Sequence, residues 1–188
     1  MKQRLLVTST VLAFSLAGCG TDSDNLEPAE QPAHEETGDH NSEHHHGNHS
    51  SSGEVPDNLK VADNPSYPVG SKAMMEANHM PGMKGTEATI VGAYKTTAYA
   101  VSYTPTTGEA PVENHKWVIH EELQGHEDQA YAPGDTVIIN ADHMEGMDGA
   151  EAVIDSSEQT TVYMVDFEID GETVQNHKWV TEEELRSP

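Results

Sequence analysis

Cysteine is almost missing from this chain: Cys19 is the only one among 188 residues. With a single thiol no internal disulfide can form, and the fold must stand on packing and hydrogen bonds. Positive charge is scarce too, with 9 Lys and Arg against 33 Asp and Glu and a formal net charge of -24. Binding by counterion release needs clustered Lys and Arg, so charge excludes nucleic acid and anionic lipid surfaces as partners, whereas cations are attracted. Much of the acid lies in the N-terminal segment and the loops, where a solvated, soluble surface accounts for it. Hydrophobic residues make up 35% and aromatics 5%, too little for one large core, so small units beside an unfolded portion are expected. No long 3.6-residue period appears, which argues against substantial helices. No nucleophile stands at a recognisable spacing from a base, and a non-enzymatic role is expected.

What the chain does contain begins with a leader. Lys2 and Arg4 precede a mostly apolar run from Leu5 to Leu16, too short to span a bilayer stably but suited to a secretory signal over residues 1–18. Leu16-Ala17-Gly18-Cys19 resembles a bacterial lipobox. In proteins with that signature the Cys carries diacylglycerol, and two or more acyl chains make a stable anchor. The expectation is lipidation at Cys19 and attachment to the outer face of the cytoplasmic membrane. Residues 19–58 are rich in Asp, Glu, Ser, Asn, Gly, Pro and His, cannot offset the entropy of ordering, and read as a disordered tether. Its histidines, His34, His40, His44, His45, His46 and His49, alternate with acids. Such a tract binds Cu(II) or Zn weakly through neutral imidazole, with His44, His45 and His46 as its densest part; the plainer reading is a soluble spacer.

The rest is an internal repeat. His79-Met80-Pro81-Gly82-Met83 returns as His143-Met144-Glu145-Gly146-Met147, and Asn114-His115-Lys116-Trp117-Val118 as Asn176-His177-Lys178-Trp179-Val180. Two domains are expected, 59–124 and 125–188. Within each, the signals are for strands. Ala73, Met74 and Met75 align with Val137, Ile138 and Ile139, so those two methionines are apolar filling. Ala88 to Tyr94 reads as a second strand, and a third alternates, with Tyr99, Val101 and Tyr103 matched by Tyr163, Val165 and Phe167. Turns at Pro105 to Gly108 and at Asp170-Gly171 lead into a fourth strand. Simple alternation puts His115 with Trp117 on one face and Val112, Asn114 and Val118 on the other, with Lys116 and Lys178 aimed away from the His and Trp face. Glu121-Glu122-Leu123 and Glu183-Glu184-Leu185 close the units. The expected fold is all-β: two tandem small antiparallel barrels resembling SH3-like folds.

The repeated cluster has a chemistry of its own. Thioether sulfur is a soft donor that suits Cu(I) or Ag(I) over Ca²⁺, Mg²⁺ or, usually, Zn²⁺. A tight turn through Pro81-Gly82 or Glu145-Gly146 could swing Met80 with Met83, and Met144 with Met147, toward one point. His79 and His143 add imidazole nitrogen, His115 and His177 are further candidate ligands, and Trp117 and Trp179 are candidate caps through cation–π contact. The structural alternatives stand beside these: methionine as core filler, tryptophan as barrel core, and His115 or His177 bonded to a loop carbonyl. Known extracytoplasmic copper and silver chaperones combine the same residue types.

The tandem H-M-x-G-M, the following Gly85-Thr86-Glu87-Ala88 and Gly149-Ala150-Glu151-Ala152, and N-H-K-W-V with E-E-L resemble the YdhK-type family of Gram-positive surface lipoproteins. That resemblance implies a lipobox, a low-complexity tether and two copies of a small domain. Some members are associated with copper resistance and bind copper outside the membrane. It therefore implies a membrane-anchored copper-binding lipoprotein that buffers Cu(I), with one loop site per domain at His79, Met80 and Met83 and at His143, Met144 and Met147. The competing expectation is a cell-envelope interaction module whose barrels bind a peptide or wall polymer.

Overall fold

Between Gly92 and Pro105, and between Gly149 and Gly171, the chain has no glycine or proline and many Ala, Val, Thr and Tyr. Uninterrupted stretches of this kind favour extended backbone. The computed structural model describes residues 49–125 and 129–188; the leader, Cys19 and His44, His45 and His46 lie outside them. Its strands are β1 (Lys60–Val61), β2 (Lys72–Met75), β3 (Glu87–Tyr103), β4 (Val112–Ile119), β5 (Thr136–Ile138), β6 (Glu151–Ile169), β7 (Glu172–Thr181) and β8 (Leu185–Arg186). The all-β antiparallel class expected from the alternation is what is found. The expected second and third strands of each repeat are fused into one, β3 in the first repeat and β6 in the second.

These two long strands pair antiparallel along their lengths, from Ala88 opposite Phe167 to Tyr103 opposite Ala152, with Thr96 opposite Thr160 near the middle. The register is self-complementary: exchanging the repeats maps each pair onto the other, as at a two-fold interface. β2 and β4 pair with β3, and β5 and β7 with β6, within one eight-stranded sheet. A long strand carries each repeat from one core into the next. One core joins Ala73, Met75, Ala88 and Ile90 of the first repeat to Tyr163, Val165, Phe167 and Leu185 of the second. The other joins Tyr99, Val101, Tyr103 and Val118 to Val137, Ile139, Ala152 and Ile154. A third cluster on the opposite face holds Ala98, Ala100, Val162, Met164 and both tryptophans. The boundary at 124/125 thus divides the repeats but not the cores.

The closing motifs cross over as well. β8 pairs with β2, and the Leu123–Ile139 bridge makes the equivalent contact. Asp170 and Gly171 take positive φ (53° and 83°) in the β6–β7 turn, the left-handed pair that a tight hairpin requires. Residues 49–55, expected within the tether, lie on the domain. The Ser51 amide donates to the Gln175 carbonyl at 3.0 Å, and Val55 packs against the third cluster. Ser and Asn side chains at this point give the backbone hydrogen-bond partners that a free tether lacks.

Candidate functional site

Simple alternation fails on β4 and β7, and the failure builds the site. Val118, His115 and Val112 of β4 stand opposite Tyr99, Val101 and Tyr103, so three residues of β4 span two of β3, twice. Val180, His177 and Val174 do the same against Tyr163, Val165 and Phe167. Each irregularity inserts one residue and reverses the parity of the strand. Asn114 and Asn176, with φ of 51° and 53°, lie within them; Asn tolerates this conformation better than most residues. His115 therefore shares a face with Val112 and Val118, against Tyr103 (6.1 Å between ring centroids), and His177 lies at 5.5 Å from Phe167. Trp117 and Trp179 turn to the opposite face. The expected pairing of His with Trp on one face is thus corrected, and the inserted residue is the reason.

The H-M-x-G-M loops form turns in which the Met83 amide donates to the Met80 carbonyl and the Met147 amide to that of Met144. Gly82 (φ 82°) and Gly146 (φ 74°) occupy the third position, and Pro81 suits the second, as in a type II turn. The turn separates the two methionines instead of gathering them. Met80 and Met144 line a cavity, whereas Met83 and Met147 are fully buried, each in one of the two mixed cores. Apolar burial of a thioether explains Met83 and Met147 without a ligand. The single loop site per domain is corrected accordingly.

The cavity, of about 700 Å³, is common to both repeats. His79, His115, His143 and His177 all line it, with Met80, Met144, Lys116 and Lys178. The rings pair across the repeats: His79 lies 6.5 Å from His177, and His115 6.4 Å from His143. The lysines are not aimed away as expected. Lys116 Nζ sits 4.9 Å from the centre of the Trp117 ring and Lys178 Nζ 5.8 Å from that of Trp179. Neither tryptophan lines the cavity itself, although the Trp117 ring lies 6.5 Å from that of His79.

Glu122 and Glu184, on 3₁₀ turns after β4 and β7, tie the histidines to the tryptophans. Glu122 accepts from His143 Nε2 (2.8 Å), from Trp179 Nε1 (3.0 Å) and from the Ile119 amide (3.1 Å). Glu184 accepts from His79 Nε2 (2.8 Å), Trp117 Nε1 (2.8 Å) and the Thr181 amide (3.1 Å). Burial by itself would raise both carboxyls, but these donors, His143 and His79 foremost, hold them below the usual carboxylate range. A carboxylate only accepts, so the neutral imidazole must carry its proton on Nε2 and leave Nδ1 as a lone pair. A carboxylate behind an imidazole is the arrangement that orients metal-bound histidine. Burial, reinforced by the neighbouring histidines, pushes His115 and His177 down to about 3. They are neutral at physiological pH, the form that binds a cation.

His79 Nδ1, His143 Nδ1, His115 Nε2 and His177 Nε2 are all buried without a hydrogen-bond partner. Buried polar atoms seldom go unpaired, and four in one cavity call for an explanation. Among the described residues no three His, Cys, Asp or Glu side chains converge, as placed, closely enough to hold a metal ion. The donor set is instead two cross-repeat imidazole pairs in a cavity that Met80 and Met144 also line. With nitrogen–metal bonds of about 2.0 Å, two imidazoles on one ion have centroids roughly 5 to 6.3 Å apart, depending on the angle at the metal. The observed spacings of 6.5 and 6.4 Å lie just beyond that range, so each pair would have to close slightly to share an ion.

The family model described as a protein of unknown function, DUF1541, matches residues 69–120 and 133–182. The chain belongs to the DUF1541 family. The uncharacterized protein YdhK of Bacillus subtilis (strain 168) is 50% identical over 186 residues, which is 98% of this chain and 88% of that one. The crystal structure of that DUF1541 family protein from B. subtilis superposes with a TM-score of 0.73 at 56% identity, covering 75% of this chain and 97% of the other. The solution structure of the YdhK C-terminal domain gives 0.61 at 58% identity, covering 64% and 92%.

The two matched segments are the two sequence repeats, yet two histidine–carboxylate pairs at the cavity cross between them. His79 meets Glu184, and His143 meets Glu122. Glu122 and Glu184, expected only to close the units, are functional residues that the sequence does not single out. The signal was present in the recurrence of E-E-L, five residues after each N-H-K-W-V tryptophan to its last acid. His49, placed in the tether by sequence, also lines the cavity.

Proposed function

We propose that this chain is an extracytoplasmic lipoprotein, anchored through Cys19, that binds Cu(I) in the cavity shared by its two repeats and so buffers copper at the outer face of the cytoplasmic membrane. The observation that carries this reading is the set of four buried, unpartnered imidazole nitrogens in a cavity that Met80 and Met144 also line. Neutral imidazole and thioether are the donors that favour Cu(I) and Ag(I) among common cellular cations. The role is capture, not turnover. Glu122 and Glu184 orient His143 and His79, while the acidic surface raises the local concentration of cations. The His-rich segment supplies weaker sites for Cu(II) or Zn, through His44, His45 and His46.

The test is competition for Cu(I) with a chromophoric chelator under reducing conditions. It uses the full mature chain with His34, His40, His44, His45 and His46 changed to Ala. The protein is expected to withdraw Cu(I) from the chelator, and Met80→Leu with Met144→Leu to weaken that uptake roughly tenfold or more. Met83→Leu with Met147→Leu should leave it unchanged, because those sulfurs sit in the cores. Failure of the protein to take any Cu(I) overturns the reading.

A further inference from the structure

The two thioethers of the cavity occupy matching positions in the repeats but unlike surroundings in the fold. Met144 is the one exposed methionine among the described residues, with 37% of its surface open to solvent. Met75, Met83, Met147 and Met164 are buried, and Met74 and Met80 are half-buried. Met80 packs against the core that holds Met75 and Ile90. Met144 lines the cavity on a turn that the first repeat holds from outside: the Thr106 amide and hydroxyl both donate to the Gly146 carbonyl, at 2.9 and 3.3 Å. The contact is close. A Cβ on Gly146 would lie 2.8 Å from the Thr107 hydroxyl and 2.9 Å from the Pro105 ring.

The second difference is a hydroxyl. Tyr103 donates its hydroxyl proton to Met144 Sδ at 3.9 Å and has no other partner for it among the described residues. The phenol is buried, and burial pushes it up, so it keeps its proton. Thioether sulfur is a weak acceptor, and a buried donor held by a weak acceptor gains when a stronger one takes its place. An oxygen bonded to that sulfur would be such an acceptor. Lying about 1.5 Å from the sulfur on the side of Tyr103, it would stand at roughly 2.5 to 3.0 Å from the phenol oxygen, an ordinary hydrogen-bond distance. At the matching position of the second repeat stands Phe167, which has no hydroxyl to offer.

We infer that Met144 is a site of reversible oxidation by peroxide to methionine sulfoxide, with Tyr103 as the positioning residue that receives the new oxygen. In that step a sulfur lone pair attacks one oxygen of hydrogen peroxide. The S–O bond forms as the O–O bond breaks, the sulfur loses two electrons, and the displaced hydroxide takes the proton of the transferred oxygen and leaves as water. Sulfoxide reductases, one for each epimer at sulfur, return the thioether. The oxidised sulfur is no longer a soft donor, so the modification removes one of the two thioethers from the cavity. That consequence rests on the copper reading; the modification itself does not.

The test treats the metal-free full mature chain with limiting hydrogen peroxide and follows each methionine by peptide mass spectrometry. Met144 should gain oxygen roughly fivefold or more faster than Met80, Met83 and Met147, and mainly as one epimer, read after digestion from which epimer-specific reductase removes it. Tyr103→Phe copies the residue found at Phe167 and so preserves the packing. It should leave Met144 the first site oxidised but give both epimers, an effect that exposure alone would not produce. Met80 oxidising as fast as Met144, or the same epimer mixture in both proteins, overturns the inference. Chelator competition then measures Cu(I) uptake by the sulfoxide form, which should fall as far as it does in Met144→Leu. A protein that is oxidised at Met144 as described but takes up no Cu(I) even when reduced overturns the copper reading and leaves the modification site standing. Cu(I) uptake undiminished by the sulfoxide overturns the link between the two.

Discussion

Acid should destabilise this protein before most of its carboxylates titrate, and the cause is two histidines. His115 and His177 are pushed down to about 3 in the folded state by burial and by neighbouring imidazoles, while the unfolded chain titrates them near 6.5. The unfolded state therefore binds more protons between those values. Their contribution is complete above about 6.5 and is lost as pH falls toward 3. From pH 6.5 to 4.5 each costs roughly 2 kcal/mol and the pair about 4 to 5 kcal/mol, a large part of the 5–15 kcal/mol typical of a domain. Glu122 and Glu184, lowered in the fold, act in the same direction but only below about 4.5, so the upper window reports on the histidines. The assay is urea unfolding of the metal-free protein followed by Trp117 and Trp179 emission. High salt screens the self-repulsion of the acidic surface, which acid would otherwise relieve. His177→Gln should roughly halve the slope of stability against pH. A stability that stays level within about 1 kcal/mol across that window would show that the buried imidazoles are not held neutral by the fold.

Two further outcomes are expected. Trp179→Phe keeps a ring in the third cluster but removes the N–H that serves Glu122, and should cost about 1 to 3 kcal/mol in urea unfolding. Trp117→Phe should cost less, because the Glu184 side chain keeps 18% of its surface exposed against 5% for Glu122; equal costs would refute the role of burial. Residues 125–188 alone should give an amide spectrum without dispersed signals, because their core partners lie in the first repeat, and mixing with residues 59–124 should restore dispersion. A well-dispersed spectrum from the second repeat alone would show that it can complete a core by itself.

Much of the fold could be read locally. The alternation of Tyr99, Val101 and Tyr103, and of their counterparts, follows from a period of two and is visible in any stretch that buries one face. The turns at Pro81-Gly82 and Asp170-Gly171 follow from residues that accept particular φ values. Two things were not legible. The absence of Gly and Pro allowed one long strand or two short ones, and only the pairing of β3 with β6 selects the long strand. The inserted residues on β4 and β7 leave no compositional mark beyond Asn114 and Asn176, so parity could not be assigned past them. For the same reason the cavity's imidazole and thioether set was only half visible. His79, His143, Met80 and Met144 stood out by recurrence, while the separation of Met83 from Met80 depends on which side of the turn faces a core.

The sequence by itself determined an all-β chain of two like halves, each carrying imidazole, thioether, indole and carboxylate in the same order, because those are properties of residue type and spacing. Tertiary structure alone decided that the halves exchange their cores and that each histidine on a loop meets its carboxylate and its partner imidazole in the opposite repeat. The physical reason is that a 17-residue strand and a 19-residue strand satisfy their backbone groups best against each other, and that pairing brings the two ends of the repeats into one cavity.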